Sequence, residues 1–266
     1  MKRADFIKMI SFGTSAGCFS SSNLLGEDIP TAQYLEPELK EHPAGIQKSE
    51  EQPQELPAEA VKERKPHFVS TAPGFGHRIA LTYDDGPTPS ITNSILNDLE
   101  KRKLRATFFM IGNKVKAYKS LANEVAAAGH EVANHTYTHP NLKKLSSSRV
   151  EYEIHKTQEV IEQVTGKVPT WFRPPYGAFH KKQGEIPMGE GLGIAYWSVD
   201  PRDWARPGAS RIVSHIYKNT TPGSIVLLHD LHKQTADATP DVLDRLLERS
   251  FNFTTMSGIL GEPYHA

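Results

Sequence analysis

The chain has 266 residues, with 31 Lys and Arg balanced by 31 Asp and Glu, so neither a basic surface for nucleic acid nor an acidic solvating tail is expected. Its hydrophobic fraction of 38% is modest and fits one packed domain diluted by a long polar segment. The single cysteine, Cys18, excludes an intrachain disulfide and a cysteine-cluster zinc site, which leaves twelve histidines to settle the metal question.

Residues 1–25 read as an export signal. Lys2 and Arg3 precede a mostly apolar or small stretch from Phe6 to Cys18, interrupted by Lys8. That stretch falls short of the about 20 apolar residues a membrane-spanning helix needs. Ser15-Ala16-Gly17-Cys18 resembles a lipobox, with Ser15 where leucine is usual, so Cys18 is a candidate lipid anchor. Arg3 to Lys8 resembles a twin-arginine signal in which Ala4 replaces the second arginine. The expected location is periplasmic or at the cell surface, by lipidation or by simple cleavage.

Residues 26–70 read as a disordered linker. Pro30, Pro37, Pro43, Pro53, Pro57 and Pro66 recur among Glu and Lys, and apolar residues are sparse and without period. As a flexible coil of about 40 residues it would span roughly 30–40 Å.

The folded domain is expected over 71–266. Arg78 to Tyr83 reads as a strand closed by the turn Asp84-Asp85-Gly86-Pro87. Ile91, Ile95, Leu96 and Leu99 keep a helical spacing. Ala106 to Ile111 reads as a buried strand. Val115, Tyr118, Leu121 and Val125 mark a second helix stopped at Gly129. A short strand at Glu131 to Ala133 leads to a third helix on Val150, Ile154, Ile161 and Val164, stopped at Gly166. Strands follow at Trp171-Phe172, Ile194 to Val199 and Ser224 to Leu228, the last two separated by a helix around Ile212 and Ile216. Thr239-Pro240 reads as the cap and first turn of a helix carrying Val242, Leu243, Leu246 and Leu247. Alternating strands and helices imply an α/β fold with parallel strands.

The chemistry-bearing residues sit at the ends of those strands, where β/α barrels build their sites. In Asp84-Asp85-Gly86-Pro87, two neighbouring carboxylates call for a nearby positive charge, although such a run alone is more often a solvated turn. His135 and His139, four apart, can reach one metal, and Pro140 argues for a loop over a continuing helix. Arg173-Pro174-Pro175-Tyr176-Gly177 offers a fixed arginine and exposed backbone donors, or a plain structural corner. Asp200-Pro201-Arg202-Asp203-Trp204 and Leu227-Leu228-His229-Asp230 add a histidine suited to acid chemistry near neutral pH.

In this order the groups resemble carbohydrate esterase family 4, the polysaccharide deacetylases with a NodB-homology domain, across Arg78 to Ile259. The resemblance rests on Thr82 through Pro87, His135 through His139, Arg173 through Gly177, Asp203-Trp204 and Leu227 through His229, with Tyr83 where phenylalanine is frequent. It implies a distorted, incomplete (β/α) barrel. It also implies that Asp85, His135 and His139 hold a divalent metal, most often zinc, and that Asp84 is the general base, oriented by Arg173. The Tyr176 N–H would complete an oxyanion hole. His229, held by Asp203, would protonate the departing amine, and Trp204 and Leu227 would wall a pocket for the acetyl methyl.

The expected reaction is removal of acetyl groups from N-acetylglucosamine units, with peptidoglycan the best-fitting substrate for an exported, tethered domain. Chitooligosaccharides and acetylated xylan are alternatives, and from other classes a glycan-binding module without turnover or a structural zinc module. The glycine-rich stretch 184–193 is a candidate substrate loop.

Overall fold

A computed structural model describes residues 67–74 and 76–261. The expected signal and lipid anchor, and the linker up to residue 66, lie outside the described residues. The end of the expected linker does not: Phe68–Val69 form strand β1, paired in parallel with β6 at Gly193–Ala195. The domain therefore begins a few residues earlier than composition suggests, because two apolar residues suffice to extend a sheet edge.

Six further strands complete one sheet: β2 at Arg78–Asp84, β3 at Thr107–Met110, β4 at Glu131–Asn134, β5 at Trp171–Phe172, β7 at Ile225–His229 and β8 at Asn252–Thr254. Their order is β1-β6-β5-β4-β3-β2-β7, with β8 on the first half of β2, and every strand pair is parallel. The sheet curls into a half-barrel. Single bridges, Thr71 to Ser224 and Val199 to Val226, join its two ends in place of a full ladder. The strand expected over 194–199 thus ends early, and its tail crosses over to β7.

Strand periodicity divides the core in two. Ile79, Leu81 and Tyr83 of β2 face outward, with Phe108, Met110, Val226 and Leu228, into a cluster shared with the helices. Ala80, Phe109, Ala133, Trp171, Ala195 and Ile225 face the barrel interior. A Cβ on Gly193 would lie 2.5 Å from the Trp171 ring, so the large indole needs the glycine beside it. Met256 and Ile259, on the short helix Met256–Ile259, plug the end where β3 and β4 begin. The same alternation puts Asp84, His135, Arg173, Leu227 and His229 in inward register at the opposite, C-terminal end.

The outer layer contains α1 at Ile91–Lys101, α2 at Gly112–Ala117, α3 at Lys119–Ala127, α4 at Ser147–Thr165, α5 at Glu185–Gly189, α6 at Ala209–Asn219 and α7 at Lys233–Glu248. Helix α4 starts on Ser146, whose Oγ accepts from Arg149 N, and stops at Gly166 in the left-handed region. Two helix expectations are corrected. The second helix breaks at Tyr118 (φ −121°, ψ 53°) into α2 and α3. The last long helix begins at Lys233, not at Thr239-Pro240, so Pro240 lies inside it. Small buried residues, Thr235, Ala236 and Ala238, make its first turns pack closely, and a Lys233–Asp237 ion pair of 2.6 Å braces them. Neither feature produces an apolar period.

The glycine-rich stretch is not at the barrel mouth. Ile186 and Leu192 pack with Ile154, Phe172 and Ile194, and Glu190 pairs with His155 of α4 at 2.9 Å. It fills the space between α4 and β6.

Candidate active site

Asp84 closes β2 and Asp85 opens the turn, with φ of 74°. That left-handed backbone is uncommon for a residue with a Cβ and swings the second carboxylate to the same side as the first. Two groups hold the turn. Lys114 Nζ donates to the Asp85 carbonyl (2.7 Å), and Asp230 N donates to the Asp84 carbonyl (3.1 Å). The fully buried Asp230 side chain takes a hydrogen bond from Thr92 Oγ1 (2.5 Å) and lies where a Cβ on Gly86 would be. Burial pushes its carboxyl up to about 7.

Asp84 is buried and is held by Arg173, whose Nη1 donates to Asp84 Oδ1 (2.7 Å) and lies 2.8 Å from Thr82 Oγ1. Arg173 Nη2 donates to the Tyr196 carbonyl (3.0 Å), and its guanidinium lies 4.0 Å from the centre of the Phe109 ring. Thr82 belongs to the motif but was given no role from sequence, and Phe109 was not singled out, yet both fix this arginine.

His135 and His139 occupy a loop with positive φ at Thr136 and His139, as Pro140 suggested. His135 Nδ1 donates to the Arg173 carbonyl (2.8 Å). A carbonyl can only accept, so Nδ1 carries a proton, and in the neutral ring the lone pair is then on Nε2. That Nε2 lies 3.5 Å from Asp85 Oδ1, and His139 Nε2 lies 3.1 Å from the same oxygen. One ligand atom from each of Asp85, His135 and His139 falls within 4.8 Å of the others. Burial opposes charge on Asp85, but hydrogen bonds and positive charge from the two histidines outweigh it and hold its carboxyl well below the usual range.

Across the cavity, His229 Nδ1 pairs with Asp203 Oδ1 at 2.7 Å. Asp203 is fully buried and also accepts from His229 N (2.8 Å), Trp204 N (3.0 Å) and Thr235 Oγ1 (2.7 Å). Thr235 is another residue sequence reading missed. Burial works against a charged imidazole, yet the hydrogen bond and charge of Asp203, with Asp84 and Asp85 beyond, push His229 up to about 9.

These groups share a cavity of about 360 Å³, walled also by Tyr176, Trp204 and Leu227 and by Trp197, which the motifs did not flag. All ten residues expected from sequence gather here: Arg173 stands behind Asp84 and Asp203 behind His229, and the other eight line the cavity. Tyr176 sits at φ 60°, 70% exposed at the rim, with its ring 4.7 Å from that of His139. A groove of about 430 Å³ beside Lys116, Lys119 and Lys156 holds none of these residues.

The family model described as polysaccharide deacetylase matches residues 73–188. A chitooligosaccharide deacetylase of Rhizobium leguminosarum bv. trifolii is 39% identical over 192 residues, 67% of this chain and 89% of the relative. The chain belongs to the polysaccharide deacetylase family.

Among family members, the peptidoglycan-N-acetylglucosamine deacetylase PgdA of Listeria monocytogenes is 40% identical over 185 residues, 70% of this chain but 39% of the relative. The chain thus spans about two fifths of that protein's length. The crystal structure of a CE4 family pseudoenzyme from Bacillus anthracis superposes with a TM-score of 0.71 at 31% identity, covering 75% of this chain and 70% of that one. A polysaccharide deacetylase fold is therefore compatible with lost turnover, and activity depends on the side chains the fold carries.

Proposed function

We propose that this chain is a metal-dependent hydrolase that removes the acetyl group from N-acetylglucosamine units of a polysaccharide, peptidoglycan being the substrate. One observation carries the reading: a cluster of two imidazoles and a carboxylate lies beside a second, arginine-held carboxylate, and all face a histidine–aspartate pair across one cavity. The donor set fits a divalent ion. With its Nδ1 on the Arg173 carbonyl, neutral His135 presents Nε2 as its ligand atom, and buried Asp85 Oδ1 faces only the two imidazoles among the described residues. Two nitrogens and one oxygen suit zinc or another first-row cation and leave coordination positions open.

When bound, such a cation supplies Lewis acidity, making a water more acidic and polarising the acetyl carbonyl. Asp84, held by Arg173, takes the proton of the attacking water. The Tyr176 N–H is not used by its turn, whose hydrogen bonds are donated by Gly177 and Ala178, and so can meet the developing oxyanion. His229, charged and held by Asp203, gives its proton to the sugar nitrogen as the carbon–nitrogen bond breaks. Acetate and a free amine result. Trp204 and Leu227 wall the space for the acetyl methyl.

Peptidoglycan as substrate draws on the name of the Listeria relative and on the expected export of the chain. Lipidation at Cys18 and a tether over the linker would keep the domain near the wall. Chitooligosaccharide is the second reading, favoured by the Rhizobium relative, most of whose length this chain matches. Acetate release from purified peptidoglycan and from chitooligosaccharides, each with and without a chelator, tests the proposal. Chelator-sensitive release from peptidoglycan supports it. Binding without release would make the chain a glycan-binding module.

A further inference from the structure

The loop carrying His135 and His139 is held by side chains. Its amide N–H groups donate to Asn134 Oδ1 from Thr136 (3.0 Å), to Glu153 Oε2 from Tyr137 (3.0 Å) and Thr138 (2.7 Å), and to Thr136 Oγ1 from His139 (3.1 Å). Thr136 and His139 both adopt positive φ, which a residue with a Cβ keeps only where its surroundings impose it. Asn134 and Thr136 belong to the loop or its edge. The start of α2 holds two of the loop's carbonyls, Gly112 N donating to that of Thr136 (2.9 Å) and Asn113 N to that of Tyr137 (3.1 Å), and Glu153 of α4 is the side chain from another element that accepts from its amides.

Glu153 has no exposed surface. Its second oxygen accepts from Thr138 Oγ1 (2.9 Å) and from the half-exposed Arg149 (2.9 Å). A buried carboxylate is a poor means of stabilising a core, since a well-packed apolar residue does as well or better. Here it satisfies two amides and a hydroxyl of one five-residue loop, and that loop brings two imidazoles to Asp85. The same helix secures the entry to the loop: Asn134 Nδ2 donates to the Ile154 carbonyl and to Gln158 Oε1, both at 2.9 Å.

We infer that Glu153 is a positioning residue that presets the His135–His139 loop, so that both Nε2 atoms face Asp85 before a cation arrives. It touches neither histidine and acts through the peptide groups of Tyr137 and Thr138. The inference rests on reading Asp85, His135 and His139 as a metal centre. Partners that orient ligands in this way commonly change metal affinity about 10- to 100-fold when removed.

The test is a titration of the metal-free full chain with Zn2+ against a chromophoric chelator, and with Co2+ to follow its visible absorption. Glu153→Leu keeps the volume but removes both acceptors. It should bind Zn2+ about 10- to 100-fold more weakly and give an altered Co2+ spectrum while circular dichroism shows a folded chain. Glu153→Gln retains one acceptor oxygen and should fall between it and the unaltered chain. A folded Glu153→Leu variant with unaltered affinity and spectrum overturns the inference, whatever its melting temperature. Should that variant not fold, Thr138→Val replaces it: several-fold weaker Zn2+ binding is expected, and no change overturns the inference. Failure of the unaltered chain to bind either ion would instead overturn the metal-centre reading.

Discussion

Arg173 Nη1 stands 2.7 Å from Asp84 Oδ1, with both side chains shut off from solvent. Burial pulls the guanidinium below its usual pKa, and the charge and hydrogen bond of Asp84 oppose that pull. The pair therefore depends on itself. Removing one partner of a buried ion pair costs about 3–5 kcal/mol, because the other charge is left unmatched. Arg173→Met should lower stability by about that amount in a denaturant titration. Acetate release by the folded fraction should fall about 100-fold, the usual effect of displacing a catalytic group by an ångström.

The His229–Asp203 pair predicts an alkaline limit. His229 is raised from 6.5 to about 9, so it is charged at neutral pH and able to donate. Activity should fall as pH rises through about 9 or somewhat below, since a bound cation would ease the proton off sooner. In Asp203→Asn the burial that disfavours charge is left less opposed, and the limit should move several pH units toward acid. The pair's contribution to stability is complete below pH 6.5 and is lost as pH rises through about 9. A pH–rate profile of the Asp203→Asn variant that overlays the unaltered one would contradict this assignment.

Gly86 has no room for a methyl group. A Cβ there would lie 2.1 Å from Asp230 Oδ2, and Asp230 is buried and tied to Thr92 and the Asp84 carbonyl. Gly86→Ala should destabilise by about 1–3 kcal/mol, as overpacking does. Asp230→Ala in the same chain makes space, so the double variant should be more stable than the sum of the single losses predicts. Strict additivity in thermal unfolding would count against the contact.

The site was legible in the sequence because its chemistry comes in short contiguous runs at strand ends. Asp84 with Asp85, and His135 with His139, reveal themselves by adjacency and spacing. Period two along β2 and β7 then explains why Asp84 and His229 share a face. The supporting groups were not legible. Thr235, Lys114 and Glu153 are ordinary residues at ordinary helix positions, and their roles in the site come through partners 15 to 32 residues away. The start of α7 was hidden for a related reason: its first turns pack through threonine and alanine, which produce no hydrophobic period, while Pro240 imitates a helix start.

The central claim is that two adjacent, chemically identical side chains do different work: Asp85 holds the cation and Asp84 accepts the proton. Acetate release per bound zinc, measured on Asp84→Asn beside Asp85→Asn, tests it most directly. The Asp84 variant should retain its zinc and lose activity about 100- to 10,000-fold, with no recovery in excess metal. The Asp85 variant should lose zinc and recover in part when more is supplied. Zinc loss confined to Asp84→Asn would reverse the two roles, and full acetate release by both variants would contradict the account.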